Sequence, residues 1–433
     1  MKKIIFLTGY SISHIYPLET MIKFLKNKYE LYIICTYKNK WLPEKWGVNV
    51  IIYPEKYWKC KHENKIKSQR EDNELLYQNE SIQEKYISFL QNDALSTFNF
   101  YEDVVQFLKK TINEINPSVV FKDSTDIYWD VIRKEFNSIK TIGFITNNLY
   151  SWKYLQNKEI LLHFLGILDI EKELSPVFID NFKDIIDDIY KQISLQLGER
   201  FLRSYYQYDP QEEVNIIFSM PFFQPIESLE QKYNNYIVTP QLENFTVESI
   251  IPQKLITFIG QEKVIYISTG SFITKNIEYY IKLIQLLTYD QTNKIIISGG
   301  KQTDEINKYI LENSLEDNAI VFQHVPQKYV LSNCKLFIST GGFNSVKEAI
   351  YFKVPMLVIP ITCEQRLNGL IIEKLGIGHT LYKRNQKTID ILIKDLLDNE
   401  SFSQKLQYYS NNIIDNDMNY KCFKEIEEWI TNE

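Results

Sequence analysis

His14 stands in the loop SISHIYP, just after a short apolar run at residues 4–7. An imidazole, ordinarily titrating near about 6.5, can take a proton from a hydroxyl at neutral pH. Asp123 follows a second apolar run, residues 119–121, in FKDSTDIYW. A carboxylate there can accept the other ring N–H of a histidine, which fixes its tautomer and stabilises the imidazolium. Asp126 competes for that place, but Asp123 is nearer the end of the run. Both residues also have a plainer reading, His14 as a cap on the helix that starts near Pro17 and Asp123 as a helix N-cap.

A third stretch, residues 336–375, reads LFISTGGFNSVKEAIYFKVPMLVIPITCEQRLNGLIIEKL. Its apolar opening is of strand type, and Gly341-Gly342 follow at once. Asn344-Ser345 then lead into a helical pattern with Val346, Ala349 and Ile350 on one face. Strand, tight turn and helix N-terminus together can receive a phosphate on backbone N–H groups and the helix dipole. A second strand, residues 356–359, ends at Pro360 before the polar loop Thr362-Cys363-Glu364-Gln365. In an open parallel sheet, ligands sit outside the carboxyl ends of the strands, so both loops can face one ligand. The reading is a nucleotide-sugar site.

This stretch resembles the donor-binding segment of the UDP-glycosyltransferase family, including its macrolide-glycosylating bacterial members. Gly342, Phe343, Asn344, Ser345, Glu348, Val354-Pro355, Pro360, Glu364 and Gln365 match the family pattern in order. Thr340 stands where the family has a histidine that contacts the donor diphosphate, and Lys353 replaces a glycine. A threonine hydroxyl can still bond a phosphate oxygen, but it brings no imidazole. Ser13-His14-Ile15-Tyr16-Pro17 is similar to the family's Gly-His-x-x-Pro, apart from Ser13.

The resemblance implies roles residue by residue. His14 is the general base and Asp123 its partner. Thr340, Gly341, Gly342, Asn344 and Ser345 form the diphosphate turn, joined by Ser268, Thr269, Gly270 and Ser271 after an earlier strand. Glu348 accepts the ribose hydroxyls. Val325 and Gln327 belong to a segment that packs on the base, with His324 where many plant members have tryptophan. Glu364 and Gln365 meet hydroxyls of the transferred sugar. The activity implied is an inverting, metal-independent hexosyltransferase. Its nucleotide-diphosphate sugar, with UDP favoured, is a co-substrate and no cofactor is expected. The acceptor is a small molecule, natural product or lipid, and a peptide acceptor is an alternative. A catalytically impaired auxiliary protein is a rival suggested by Thr340, and a sugar-nucleotide epimerase is another.

Composition sets bounds on these readings. A chain of 433 residues is long enough for two or three domains. A net charge of −6 argues against a nucleic-acid partner, which needs a clustered basic surface. Cys35, Cys60, Cys334, Cys363 and Cys422 are scattered, without CxxC or Cys/His spacing, and read as reduced thiols of a cytoplasmic protein. No metal site is expected, since the one Asp-x-Asp triplet, Asp415-Asn416-Asp417, follows no strand. The N-terminal apolar run is too short for a signal peptide, and no run is long enough for a transmembrane segment. A homodimer is compatible with all of this.

The elements that must position these residues alternate strand and helix. Strands are expected at 3–8, 30–35, 48–53, 118–121, 140–145, 214–219 and 236–238. A second series is expected at 264–268, 294–298, 319–323, 336–339 and 356–360. Helices are expected at 16–28, 86–115, 129–136 and 420–430, with a mostly helical stretch at 150–208. Residues 56–80 read as a polar excursion. The fold class is α/β, in the GT-B layout of two facing Rossmann-like, doubly wound domains with parallel sheets. The expected domains are 1–225 for the acceptor and 241–415 for the nucleotide sugar, with helix 416–433 returning to the first. Tyr10, Trp129, Tyr150 and Trp152 are either acceptor-lining or core residues.

Overall fold

A computed structural model describes residues 1–9, 11–54, 101–165, 177, 180–196, 208–240, 251–269, 277–289, 293–381, 386–413 and 416–432. The chain divides into two units. The first comprises Met1–Leu161, Ile170–Gln241 and Ile414–Glu433, and the second Leu162–Asp169 and Leu242–Ile413.

The first unit holds a seven-stranded sheet: β1 (Lys3–Leu7), β2 (Glu30–Cys35), β3 (Asn49–Ile52), β4 (Val119–Asp123), β5 (Lys140–Ile145), β6 (Val214–Ile217) and β7 (Asn234–Ile237). Their order is β3-β2-β1-β4-β5-β6-β7, and every pairing is parallel. Strands buried on both faces read as continuous apolar runs, as IIFL in β1 and VVF in β4 do. One face packs Phe6, Phe121 and Phe144 on Leu18, Met21, Ile22 and Leu25. The other packs Ile5, Leu7 and Val120 on Val104, Leu108 and Trp129. Trp129 and Tyr150 are fully buried and belong to the core.

This unit does not stop at residue 225, because β7 extends its sheet beyond the proline-rich stretch. The helix Asn416–Thr431 is also part of it, placing Phe423, Ile426 and Ile430 in the first core. Asn419 fastens that helix by a pair of bonds, accepting from Thr239 N at 3.0 Å and donating to Thr239 O at 2.8 Å.

The second unit holds β8 (Val264–Ser268), β9 (Ile295–Ser298), β10 (Ala319–Phe322), β11 (Cys334–Ser339), β12 (Met356–Val358) and β13 (Gly378–Thr380). Their order is β10-β9-β8-β11-β12-β13, again parallel throughout. The edge strand β13 was not expected. It is three residues long, begins with Gly378, and has too few positions to show a period.

Several expectations meet the structure in shorter form. The helix at 16–28 is a 3-10 turn, Tyr16–Leu18, followed by Glu19–Leu25. Of the helix expected at 86–115, the described part is helical as Tyr101–Ile115, and residues 86–100 lie outside the described residues. Residues 56–80, Tyr10 and Asp415 lie outside the described residues. No helix among the described residues is long and apolar enough to cross a membrane.

Candidate functional site

Each sheet reverses its strand order at one point, where neighbouring loops leave the sheet in opposite directions and open a crevice. In the first unit that point lies between β1 and β4. His14 follows β1 and Asp123 ends β4, so the topology brings together residues more than a hundred positions apart. His14 closes a 3-10 turn, Ile12–His14, that Ser11 caps. Its side chain caps no helix. Instead Nδ1 lies 2.7 Å from Asp123 Oδ2.

Asp123 is fully buried and meets three further donors. Gly9 N–H reaches Oδ2 at 3.3 Å, while the Thr125 N–H and hydroxyl reach Oδ1 at 2.8 and 2.7 Å. Burial alone would raise the Asp123 carboxyl. The His14 charge and hydrogen bond, with the Thr125 donors, outweigh it and hold the group below the ordinary range. With Nδ1 held by a carboxylate, Nε2 is the ring atom left to accept a proton, and it bonds no described residue. Asp126 does something else: its Oδ1 accepts from Trp129 N at 2.9 Å at the start of the helix Tyr128–Ile132.

Gly9 and Thr125 were missed by the sequence reading. A Cβ at Gly9 would stand 2.8 Å from His14 Cγ and 2.9 Å from Nδ1. Only a residue without a side chain lets the ring approach Asp123 so closely. The signal was present, a glycine directly after β1, but its partner was not visible in one dimension.

In the second unit the reversal lies between β8 and β11. After β11 come Thr340, which is buried, and Gly341 at φ +80°. A Cβ at Gly341 would strike Val358 Cγ1 at 2.6 Å, so sterics and backbone both require glycine here. Gly342 is the N-cap of the helix Phe343–Tyr351. No side chain caps that helix, and a Cβ at Gly342 would meet nothing within 4 Å. Asn344 and Ser345, both half-buried, lie in its first turn. With no side-chain cap among the described residues, this N-terminus and its dipole suit an anion.

The next helix, Cys363–Leu375, differs. Thr362 and Gln365 form a capping box, in which Gln365 Oε1 accepts from Ile361 N at 2.8 Å and Thr362 N at 3.1 Å. Gln365 can thus offer a ligand only its amide donors. Glu364 is half-buried, and its Oε1 receives Asn368 Nδ2 at 3.4 Å.

Gln327, Ser345 and Glu348 come together. Gln327 Nε2 donates to Glu348 Oε2 at 2.8 Å and to Ser345 Oγ at 3.3 Å. Gln327 Oε1 accepts from the hydroxyl of Tyr266, a β8 residue the sequence reading left out, at 3.3 Å. Burial raises the Glu348 carboxyl, partly offset by the Gln327 bond and by Lys328 and Lys347. Lys347 is buried beside it and pushed down to about 8 by desolvation. His324 is exposed and Val325 half-buried in the loop before the helix Gln327–Ser332. Ser268, the last residue of β8, and Thr269 after it are buried, and the Thr269 hydroxyl is engaged by Tyr280 at 2.7 Å. Gly270 and Ser271 lie outside the described residues. Among the described residues, no group of three His, Cys, Asp or Glu is placed to hold a metal ion.

Residues 250–421 match the family model of UDP-glucoronosyl and UDP-glucosyl transferases. An uncharacterized UDP-glucosyltransferase of Bacillus subtilis (strain 168), YojK, is 28% identical over 198 residues, 45% of this chain and 46% of that protein. The chain thus spans about half the length of this curated relative. Two solved structures share the whole fold. The glycotransferase of kitacinnamycin aligns with a TM-score of 0.68 at 16% identity, over 99% of this chain and 98% of its own. The UDP-glucose: anthocyanidin 3-O-glucosyltransferase, in complex with UDP, aligns with a TM-score of 0.69 at 13% identity over 100% of both chains. These are GT-B glycosyltransferases, and the two parallel sheets of this chain match that layout. In the sequence of its second half the chain is thus similar to the UDP-glucoronosyl and UDP-glucosyl transferases, and in both sheets it shares the fold of the solved glycosyltransferases.

Proposed function

We propose that this chain transfers a hexose, with inversion and without a metal, from a nucleotide-diphosphate sugar to a hydroxyl of a small-molecule, natural-product or lipid acceptor. UDP is the favoured nucleotide. The observation that carries the reading is the 2.7 Å contact between His14 Nδ1 and buried Asp123. It leaves Nε2 to take the acceptor's proton as the oxygen forms its bond to the anomeric carbon. The bond from that carbon to the phosphate oxygen breaks, and its electron pair leaves on the nucleotide diphosphate. The N-terminus of the helix Phe343–Tyr351, with Thr340 beside it, is suited to receive that charge. Glu348, held by Gln327, is suited to accept ribose hydroxyls. Glu364 and the Gln365 amide offer an acceptor and a donor to the sugar. The kitacinnamycin and anthocyanidin enzymes, similar in fold, support a natural-product acceptor.

Purified chain incubated with UDP-sugars and an acceptor panel should release UDP and yield a glycoside. His14→Ala should lower turnover by about 10²–10⁴-fold while UDP binding persists. Unchanged transfer by that variant would remove the base assignment, and a wild type inactive with every donor would remove the enzyme reading. In that second case the auxiliary-protein reading, favoured by the lack of an imidazole at Thr340, takes its place.

A further inference from the structure

We infer that Asn368 is a positioning residue that aims the diphosphate turn and the sugar-facing carboxylate from one buried amide; this rests on the nucleotide-sugar reading above. Asn368 lies in the helix Cys363–Leu375 and is fully buried. Its Nδ2 donates to Gly341 O at 2.9 Å and to Glu364 Oε1 at 3.4 Å. Gly341 belongs to the loop that leaves β11, and Glu364 lies one turn earlier in Asn368's own helix, so one side chain ties the diphosphate turn to the first turn of the helix after β12.

The effect on the turn follows from peptide geometry. In a trans peptide the carbonyl of one residue and the N–H of the next point in opposite directions. Asn368 holds the Gly341 carbonyl inward, so the Gly342 N–H is turned outward. That N–H bonds no described residue, and the space around Gly342 is open. The Gly341 N–H is also held inside, by Ser339 Oγ at 3.1 Å. Gly341 has no Cβ and sits at φ +80°, where glycine alone moves freely, so its own backbone gives little resistance to a peptide flip. The Asn368 amide supplies that resistance. Its second bond reaches one oxygen of Glu364 and so holds the carboxylate's direction.

The test measures binding of UDP, UDP-glucose and UDP-galactose to the intact chain by calorimetry. It compares wild type, Asn368→Ala, Glu364→Ala and the double variant, with melting temperature followed in parallel. Asn368→Ala should weaken UDP about tenfold, the scale of a lost buried donor. It should also shrink the preference between the two sugars, and that second effect should vanish when Glu364 is already alanine. Asn368→Ser, too short to reach Gly341 O, should behave alike if the alanine variant folds poorly. A variant that melts earlier but binds UDP and ranks the sugars like wild type would show that Asn368 only packs. A wild type that binds none of the three nucleotides would instead overturn the functional reading, and this assignment with it.

Discussion

At Asp123 four donors meet one carboxylate: Gly9 N–H, both Thr125 donors and the His14 ring. Burial raises the group and the charges and bonds lower it, with the lowering dominant. A carboxyl lowered in the folded state adds stability that is whole above its unfolded value of about 3.9. That stability is lost as pH falls through the lower folded value. Asp123→Asn should therefore unfold at less urea than wild type near neutral pH, and the two midpoints should converge in acid. Midpoints that run parallel from neutral pH into acid would refute the linkage. Gly9 acts at the same place through volume. Gly9→Ala should push the imidazole off Asp123, lowering kcat about 10²-fold, the scale of a misplacement near 1 Å, with UDP affinity retained. A lower melting temperature with normal kcat would make Gly9 a packing residue only.

At the scale of elements, two helices begin at the carboxyl ends of adjacent strands and treat their N-termini in opposite ways. The helix Cys363–Leu375 is capped by Thr362 and Gln365, while no side chain among the described residues caps the helix Phe343–Tyr351. At its other end that second helix closes with Lys353 at φ +61°. Lys353 N bonds Ile350 O at 3.0 Å and Val354 N bonds Ala349 O at 2.9 Å, the paired bonds of a left-handed C-terminal stop. The family pattern has glycine here, where a Cβ costs about 1–2 kcal/mol. Lys353→Gly should raise stability by up to about 1 kcal/mol, since glycine's looser unfolded state offsets part of the gain. A urea midpoint that stays level or falls would refute it. The strain was foreshadowed by the departure at Lys353, but the bond pattern that enforces it was not.

For the whole molecule, the proposal places charge stabilisation in helix ends and hydroxyls of this chain. EDTA should therefore leave both turnover and the response to UDP unchanged, and a loss of activity restored by a divalent cation would overturn the metal-independent reading. UDP at a hundredfold over its dissociation constant should add about 2.7 kcal/mol to stability. Native-state hydrogen exchange should then slow at residues 340–348 and 327. Slowing confined to the first unit would misplace the donor.

The sequence by itself determined the alternation of strand and helix, the two series of strands, and the motif from Thr340 to Gln365. Buried parallel strands leave long apolar runs, and glycine turns before helices are local features that a one-dimensional string preserves. It nominated His14 and Asp123 but left Asp126 as a rival, and the capping roles of the first two open. Tertiary structure settled which aspartate meets the ring, because β1 and β4 are neighbours only once the sheet order is set. It also turned the Thr269 hydroxyl to Tyr280, folded the Gln365 carbonyl back into its own loop, and brought Gly9 and Asn368 into play. Side-chain hydrogen bonds between distant positions follow the packing of elements, and spacing along the chain carries no record of them.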